Sequence, residues 1–189
     1  MSRALRLVAL CALLSGLLAT AGCGANGETS IQQAASGEGL YLELGGLKYQ
    51  VQMSRYLNPA DTEDRTYLQG LPQGVSLASD EIWFGVFMRV ENDGDRLANA
   101  TSGYTITDTQ DDVFRPVPLD TRANAFAYQP QPLQPATIIP KPDSVAGQGV
   151  IQGTLVLFKL KEDDLQDRPL ILHIAEGASG PSTSVELDL

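Results

Sequence analysis

Few side chains in this sequence could carry out chemistry. It contains a single histidine, His173, and both of its cysteines fall within the first 23 residues. One histidine cannot build a multi-histidine zinc or copper site, and beyond residue 23 neither a thiolate metal site nor an internal disulfide is possible. A serine nucleophile of the hydrolase type sits in a G-x-S-x-G elbow, and this motif does not occur. We therefore interpret His173 as an ordinary histidine on the more exposed face of a strand, and we predict that the chain is not an enzyme.

Acidic residues form clusters at predicted turns. The clusters are Asp61/Glu63/Asp64, Asp93/Asp95, Asp108/Asp111/Asp112 and Glu162/Asp163/Asp164/Asp167. A pair of carboxylates can hydrolyse a glycoside, and three carboxylates with carbonyl groups can hold calcium. No cluster has the spacing of an EF-hand loop, and aspartate is common in turns because its side chain caps local amides. Turn capping is the favoured interpretation. If any site binds Ca²⁺, the first candidates are Asp108, Asp111 and Asp112 in the loop 108–112, or the loop 162–167.

Charge and composition narrow the class of partner. The 189 residues include 23 acidic and 13 basic residues, a net charge of −10. Such a surface repels nucleic acid and anionic lipid headgroups, and no basic stripe or glycine-rich phosphate loop interrupts it. The hydrophobic content of 43% is that of a globular domain, which here must depend on its core because it has no disulfide. We predict no nucleic-acid partner and no cofactor.

The first 22 residues have the organisation of an export signal. Arg3 and Arg6 precede an apolar stretch over residues 7–18, which is too short to span a bilayer comfortably. Small residues at 19–22 then lead to Cys23. The run 18–23, LATAGC, resembles the lipobox of bacterial lipoproteins, in which a signal peptidase cuts before a diacylated cysteine.

This resemblance implies a modification site and a location. Ala21, Gly22 and Cys23 match the lipobox, whereas Thr20 stands where an aliphatic residue is commoner. It implies that Cys23 carries palmitate-type acyl chains, of which two or more give stable anchoring, on the extracytoplasmic face of the cell membrane. A plain secretory signal with an incidental cysteine is the alternative. The predicted organisation is a signal peptide at 1–22, a lipidated cysteine and flexible tether at 23–38, and a domain at 39–189.

After residue 40, apolar and polar residues alternate with the period of half-buried strands. The strongest strand is 81–92, in which the even-numbered residues from 82 to 90 form one apolar face. Trp83 and Phe87 make the other face apolar near its start, and Arg89 and Glu91 return that face to solvent. The remaining strands are predicted at 47–54 (with 40–44 in the same ribbon or as a separate strand), 104–109, 113–119, 150–160, 170–174 and 184–189. About seven strands indicate an all-β fold, a two-sheet antiparallel β-sandwich, with Trp83 anchoring its core.

Two long loops interrupt the strands. The loop 58–80 contains a short helix or helical turn that starts at Asp61, and the proline-rich loop 120–149 follows an extended course that cannot be a central strand. Phe126 and Tyr128 could pin the second loop to a sheet, which we favour, or recognise peptide or glycan. Loops of this length are uncommon unless they cover a sheet edge or bind something.

The part of the chain from about 40 to 175 resembles immunoglobulin-like domains of bacterial surface lipoproteins of unknown function. In that group the central strand ends in a polar N-x-G-type turn, here Asn92 to Gly94, and a late strand carries a glycine-leucine-phenylalanine run, here Gly153 to Phe158. The resemblance supports an immunoglobulin-like fold. Our leading hypothesis is a non-catalytic binding or accessory module that contacts an envelope protein or a small ligand through the loops 58–80 and 120–149. The alternatives are a structural subunit of a larger envelope complex and a carboxylate-dependent enzyme.

Overall fold

The computed structural model describes residues 34–188, which form two β-sheets packed face to face. Two short helices, α1 (Thr62–Tyr67) and α2 (Val145–Gln148), and a 3₁₀ turn at Asp163–Gln166 accompany the strands. The strands are β1 (Ala34–Ala35), β2 (Tyr41–Leu44), β3 (Leu47–Leu57), β4 (Glu81–Asn92), β5 (Ala98–Asn99), β6 (Gly103–Thr107), β7 (Val113–Phe114), β8 (Pro132–Leu133), β9 (Thr137–Ile139), β10 (Thr154–Lys161), β11 (Ile171–Ala175) and β12 (Ser182–Glu186).

The all-β sandwich predicted from the alternation is confirmed. The front sheet has the strand order β1-β12-β11-β6-β7, and the back sheet has the order β10-β4-β3-β2, with β9 pairing to the last residues of β4. The ladders are antiparallel except for the two-residue pairing of β1 with β12. In the described range, seven strands have four residues or more, in agreement with the predicted number, and β5 with β8 forms a separate small ribbon.

Strand β4 is the centre of the back sheet and is buried on both faces. Its even-numbered residues from 84 to 90 are fully buried, each 0% exposed, and pack into the core between the sheets. Trp83 and Phe87 point the other way and belong to a second apolar cluster on the outer face of the back sheet. The apolar residues on both faces of this strand were predicted correctly. Trp83, predicted to anchor the core, is 3% exposed and belongs to this second cluster, because an odd-numbered position of β4 faces away from the space between the sheets.

The second cluster exists because the two long segments cover the back sheet. Residues 57–77 and 117–126, which we call the outer layer, place Tyr67 against Phe87 and Phe126, with ring centroids 5.0 Å and 4.7 Å apart in edge-to-face geometry. Helix α1 begins as predicted at Asp61, whose carboxylate accepts from the amides of Glu63 and Asp64. The sandwich therefore has a third, irregular layer on one side.

Asn124 fastens the two parts of the outer layer together. Its side chain is 2% exposed, and its Nδ2 donates to the carbonyl oxygens of Tyr67 at 2.8 Å and Gln69 at 2.9 Å. Its Oδ1 accepts from the amide of Phe126 at 2.9 Å. The amide of Asp120 also donates to the carbonyl of Gly70 at 2.9 Å. The two segments are thus one packed unit, with buried backbone groups satisfied across the join.

Strand pairing within the described residues begins at Ala34, five residues before the predicted start of the domain at 39. Strand β1 lies at 34–35, and Glu38 links β3 to the last described residue, since its carboxylate accepts from the amides of Ser54 at 3.0 Å and Asp188 at 3.2 Å. Burial raises the pKa of Glu38 above its usual value, although these hydrogen bonds act to lower it. Main-chain pairing and a partly buried carboxylate thus hold residues 34–38 against the sandwich.

The segment 120–149 has more regular structure than its prolines indicated. It contains β8, β9 and α2, and β9 joins the back sheet beside the end of β4. The helix α2 begins after Ser144, whose hydroxyl accepts from the amide of Gly147 at 3.1 Å. Prolines stand at the ends of these elements, where no ladder hydrogen bond is required of them.

Candidate functional site

His173 lies on the outer face of the front sheet, as its alternation predicted. It is partly buried, and its Nε2 is 2.8 Å from the hydroxyl of Thr107 on the neighbouring strand β6. Burial lowers the pKa of His173 below its usual value of 6.5. The register puts Thr105 and Ser184 on either side of it. This arrangement makes His173 a member of a polar cross-strand row, and no carboxylate is recorded as its partner within the described residues.

The acidic clusters are used in turns. Asp108 is 6% exposed and its Oδ1 accepts from the amides of Gln110 at 2.9 Å and Asp112 at 3.0 Å, which closes the loop between β6 and β7. Asp111 adopts a φ of 65°, a conformation that aspartate tolerates in turns. Among residues 34–188, no group of three or more histidine, cysteine or acidic side chains is placed to hold a metal ion. The structure thus brings Asp108, Asp111 and Asp112 together as a capped turn.

The cluster 61–64 is also accounted for by local structure. Asp64 is 5% exposed and forms an ion pair with Arg55, and it accepts from the amide of Asn58 at 2.7 Å. Burial acts to raise the pKa of Asp64, but these contacts outweigh it and hold the pKa below its usual value. The guanidinium of Arg55 in turn lies 5.9 Å from the centre of the Tyr67 ring. This network locks α1 onto β3.

A small cleft opens beside β10 at the side of the sandwich. It has a volume of about 190 Å³, and its walls include residues 116–119, Ala127, Tyr128, Pro130 and Tyr104, which is 3% exposed. Tyr128 packs edge-to-face on Tyr104, with ring centroids 5.2 Å apart, and donates its hydroxyl proton to the carbonyl of Thr101 at 2.8 Å. Burial raises the pKa of Tyr104 well above its usual value, and the neighbouring Tyr128 raises it further. Tyr128 and Phe126 therefore pin the segment to the sandwich, as the favoured interpretation stated.

A larger groove lies on the segment 131–143, which we call the proline segment. Its volume is about 420 Å³, and its walls come from residues 131–134, 136–138 and 141–143 and are mostly apolar. No lining residue of this groove comes from 58–80. The loops 58–80 and 120–149 were predicted to contact a partner together. In the described chain, 58–80 is packed into the outer layer, whereas the proline segment lines the open groove.

Asn92 holds the proline segment in place. It is 0% exposed, its Nδ2 donates to the carbonyls of Leu133 and Arg96 at 2.8 Å each, and its Oδ1 accepts from the amide of Gly94 at 3.1 Å. Its carbonyl accepts from the amide of Ala136 at 2.8 Å. From the sequence pattern, Asn92 is predicted only as the start of a turn. The signal that could have indicated more is its even-numbered position on β4, which faces the core and requires a buried polar group to find partners.

Arg89 lines a third space, which we call the arginine cavity. This cavity has a volume of about 190 Å³ and lies between β4 and the end of the proline segment, with walls from Arg89, Ile138, Pro140, Pro142, Gly147 and Gln152. The Nε of Arg89 is buried and has no hydrogen-bond partner among the described residues. Arg89 was predicted to face solvent, but it is partly buried, because the proline segment covers that part of the outer face.

Cys23, the predicted lipidation site, lies outside the described residues, as do the predicted signal peptide and most of the predicted tether. In the described range, no helix has the length and apolar character needed to cross a membrane.

Comparisons with known proteins support the fold of this chain. No family model matches the chain and no curated protein matches it. The crystal structure of the yjhA protein from Bacillus subtilis is similar over 81% of this chain and 99% of that chain, with a TM-score of 0.53 and 12% identity. An uncharacterized β-sandwich protein from Clostridium difficile aligns over 83% of this chain and 95% of its own, with a TM-score of 0.44 and 11% identity. At such identities a similarity concerns fold and carries no function. This chain therefore shares its β-sandwich fold with the yjhA protein.

Proposed function

We propose that this chain is a lipid-anchored, extracytoplasmic module that binds an envelope partner through the groove of the proline segment, without catalysing a reaction. The observation that carries this proposal is the groove itself. An apolar depression of about 420 Å³ on the surface has the size at which small-ligand and side-chain pockets begin. Most of its lining consists of aliphatic, proline and amide side chains, which bind by burial and hydrogen bonding, and Thr137, Lys141 and Asp143 add a hydroxyl and two opposite charges.

The way the groove is held also supports binding. Three elements fix its backbone: the pairing of β9 with β4, the pairing of β8 with β5, and the hydrogen bonds of buried Asn92. A surface fixed in this way loses little conformational entropy when a partner binds, so more of the contact energy appears as affinity. Proline stiffens the segment further because its φ angle is fixed.

The lipid anchor is the part of the proposal that explains where the groove would act. The lipobox-like run ending at Cys23 provides one attachment site, and the negative net charge keeps the domain from adhering to anionic headgroups. A domain displayed in this way presents its surfaces to other envelope proteins.

The anchor can be tested with the Cys23→Ser variant in the native host. We expect wild-type protein to fractionate with membranes and to incorporate an alkyne-tagged palmitate, and the variant to lose the label. A Cys11→Ser variant is the matched control. Because Cys11 lies within the predicted leader, this variant should still fractionate with membranes and incorporate the palmitate label. Equal labelling of the Cys23→Ser variant would refute lipidation at that residue.

The binding surface can be tested by crosslinking and capture from the same host. Gln134 is exposed at the groove, and a Gln134→Arg variant would fill the groove with a long charged side chain without changing the core. A Gln110→Arg variant, in the exposed turn between β6 and β7, is the matched control. We expect a defined envelope protein to be captured by wild type and by the control and to be lost with Gln134→Arg. Capture that is equal for all three would refute a role for the groove.

A further inference from the structure

We propose that the arginine cavity binds the carboxylate of an apolar acid, with Arg89 as the recognition residue and the adjacent groove taking the apolar part of the ligand. This inference rests on the proposed function, since it names the chemical class that the proline segment recognises.

The position of Arg89 is the first argument. Arg89 projects from the centre of the back sheet, and in residues 34–188 its guanidinium takes part in no recorded ion pair or hydrogen bond. Across the ladder it faces Gln50, a neutral side chain. Glu91 lies two residues further along the same face, but it is opposite Lys48 and makes no ion pair within 4.0 Å with Arg89. A partly buried cation without a counter-ion is costly for a protein, and in a chain of net charge −10 it is an exception that needs a reason.

The cavity around Arg89 is the second argument. Gly147 brings α2 so close to the chain at Lys141 that an added Cβ would lie 2.1 Å from the carbonyl of Lys141, and the hydroxyl of Ser144 donates to the same carbonyl at 2.7 Å. These contacts fix the wall that faces Arg89. The space of about 190 Å³ exceeds the ~150 Å³ of an engineered cavity that accommodates benzene, so a carboxylate with its first carbon atoms fits.

The guanidinium group of Arg89 is chemically suited to bind a carboxylate. A guanidinium presents its N–H groups in a planar arrangement that can donate two parallel hydrogen bonds to the two oxygens of a carboxylate, and Nε–H can be one of these two donors. The buried Nε would obtain an acceptor in this complex. Phosphate also fits this arrangement, but a dianion is disfavoured by the acidic surface as a whole.

The neighbouring groove indicates what the carboxylate is attached to. The arginine cavity and the groove share Ile138 and Pro142 as lining residues, so the two spaces adjoin. Lys141 and Asp143 both line the groove, so its charged side chains are one cation and one anion, and Arg89 is the cation of the adjoining cavity. A ligand whose carboxylate reaches Arg89 would therefore place a short aliphatic group against the proline segment. Both a free organic acid and the last residue of a peptide have this chemistry.

The test uses the full chain in nanodiscs of zwitterionic lipid, labelled with [¹⁵N]arginine so that each Nε–H gives its own NMR signal. N-acetyl-leucine and its neutral amide, N-acetyl-leucinamide, are the matched probes, and 4-methylpentanoate tests whether a free acid without a peptide group suffices. We expect the two acids to shift the Arg89 Nε–H signal in a saturable manner and the amide to bind about thirtyfold more weakly or not at all, as for loss of one partner of a buried charge pair. Binding by 4-methylpentanoate as strong as by N-acetyl-leucine assigns the site to free acids, and binding by N-acetyl-leucine alone assigns it to peptide ends.

Two variants of Arg89 distinguish the contribution of its positive charge from that of its paired N–H donors. Arg89→Gln should abolish the preference for acid over amide, and Arg89→Lys should retain only part of it because a lysine cannot form two parallel hydrogen bonds. Arg96→Gln, which removes an exposed arginine of the turn after β4, is the control and should bind as wild type does. Equal affinity for acid and amide in the wild type, which needs no variant to fold, would overturn the inference. If the acids fail while Gln134→Arg still abolishes partner capture, the carboxylate inference is wrong and the proposed function stands.

Discussion

The joint between the two segments of the outer layer can be tested with a pair of glycine substitutions. Gly70 and Gly74 both have left-handed backbone, with φ of +74° and +81°. An alanine at either position therefore incurs the same conformational cost, about 1–2 kcal/mol. The surroundings differ: a Cβ at Gly70 would lie 2.8 Å from the carbonyl oxygen of Asp120, whereas at Gly74 nothing lies within 4 Å.

The difference between the two variants isolates the contact between the segments. Backbone atoms of Asp120 cannot move away as a flexible side chain would, so Gly70→Ala must separate the segments and strain the hydrogen bond from the Asp120 amide to the Gly70 carbonyl. Overpacking of this kind costs about 1–3 kcal/mol in addition to the conformational cost. We expect Gly70→Ala to lose about 1–3 kcal/mol more unfolding free energy than Gly74→Ala, which corresponds to a Tm lower by about 2–12 °C for a domain of this size.

Urea unfolding measures this difference with two probes. Trp83 is the single tryptophan and lies in the outer-layer cluster, so its fluorescence reports on that layer, while far-UV circular dichroism reports on the sheets. Both probes should show the larger loss for Gly70→Ala. Equal losses for the two variants would mean that the segments are not in contact at Gly70, and the outer layer as described would be wrong.

Two further predictions concern single buried groups. Asn124→Ala removes three hydrogen bonds and takes this donor away from the buried carbonyl of Tyr67 and the part-buried carbonyl of Gln69. We expect a loss of about 2–4 kcal/mol in urea unfolding, against less than about 0.5 kcal/mol for the exposed Asn99→Ala; similar losses would contradict the role of Asn124. Because the pKa of His173 is lowered in the folded state, the unfolded chain takes up more protons as the pH falls below the usual value of 6.5, and stability decreases there. His173→Gln should therefore lose less stability than wild type between about pH 7.5 and 5.5, and identical pH profiles would show that burial does not perturb this group.

Periodicity predicted what a local pattern can determine. The bounds of β4, the faces of its apolar residues and the start of α1 at Asp61 follow from alternation and capping, which act over a few residues. The shift in β3 between Val51 and Met53 does not follow from periodicity. One extra residue there, a β-bulge, exchanges the faces so that Leu57 packs into the outer layer rather than the core.

The site could not be predicted for a related reason. Alternation tells which residues share a face of a strand, but it does not tell what covers that face. Arg89 shares the outer face of β4 with Trp83 and Phe87, and whether it meets solvent depends on a segment 50 residues further along the chain. That segment is positioned by Asn92, whose hydrogen bonds to Leu133 and Arg96 bring distant backbone to the end of β4. Asn92 is a polar residue at a core-facing position of β4, and Arg89 is a charged residue on its apolar outer face. Both depart from the pattern of this strand, and both lie next to the proline segment.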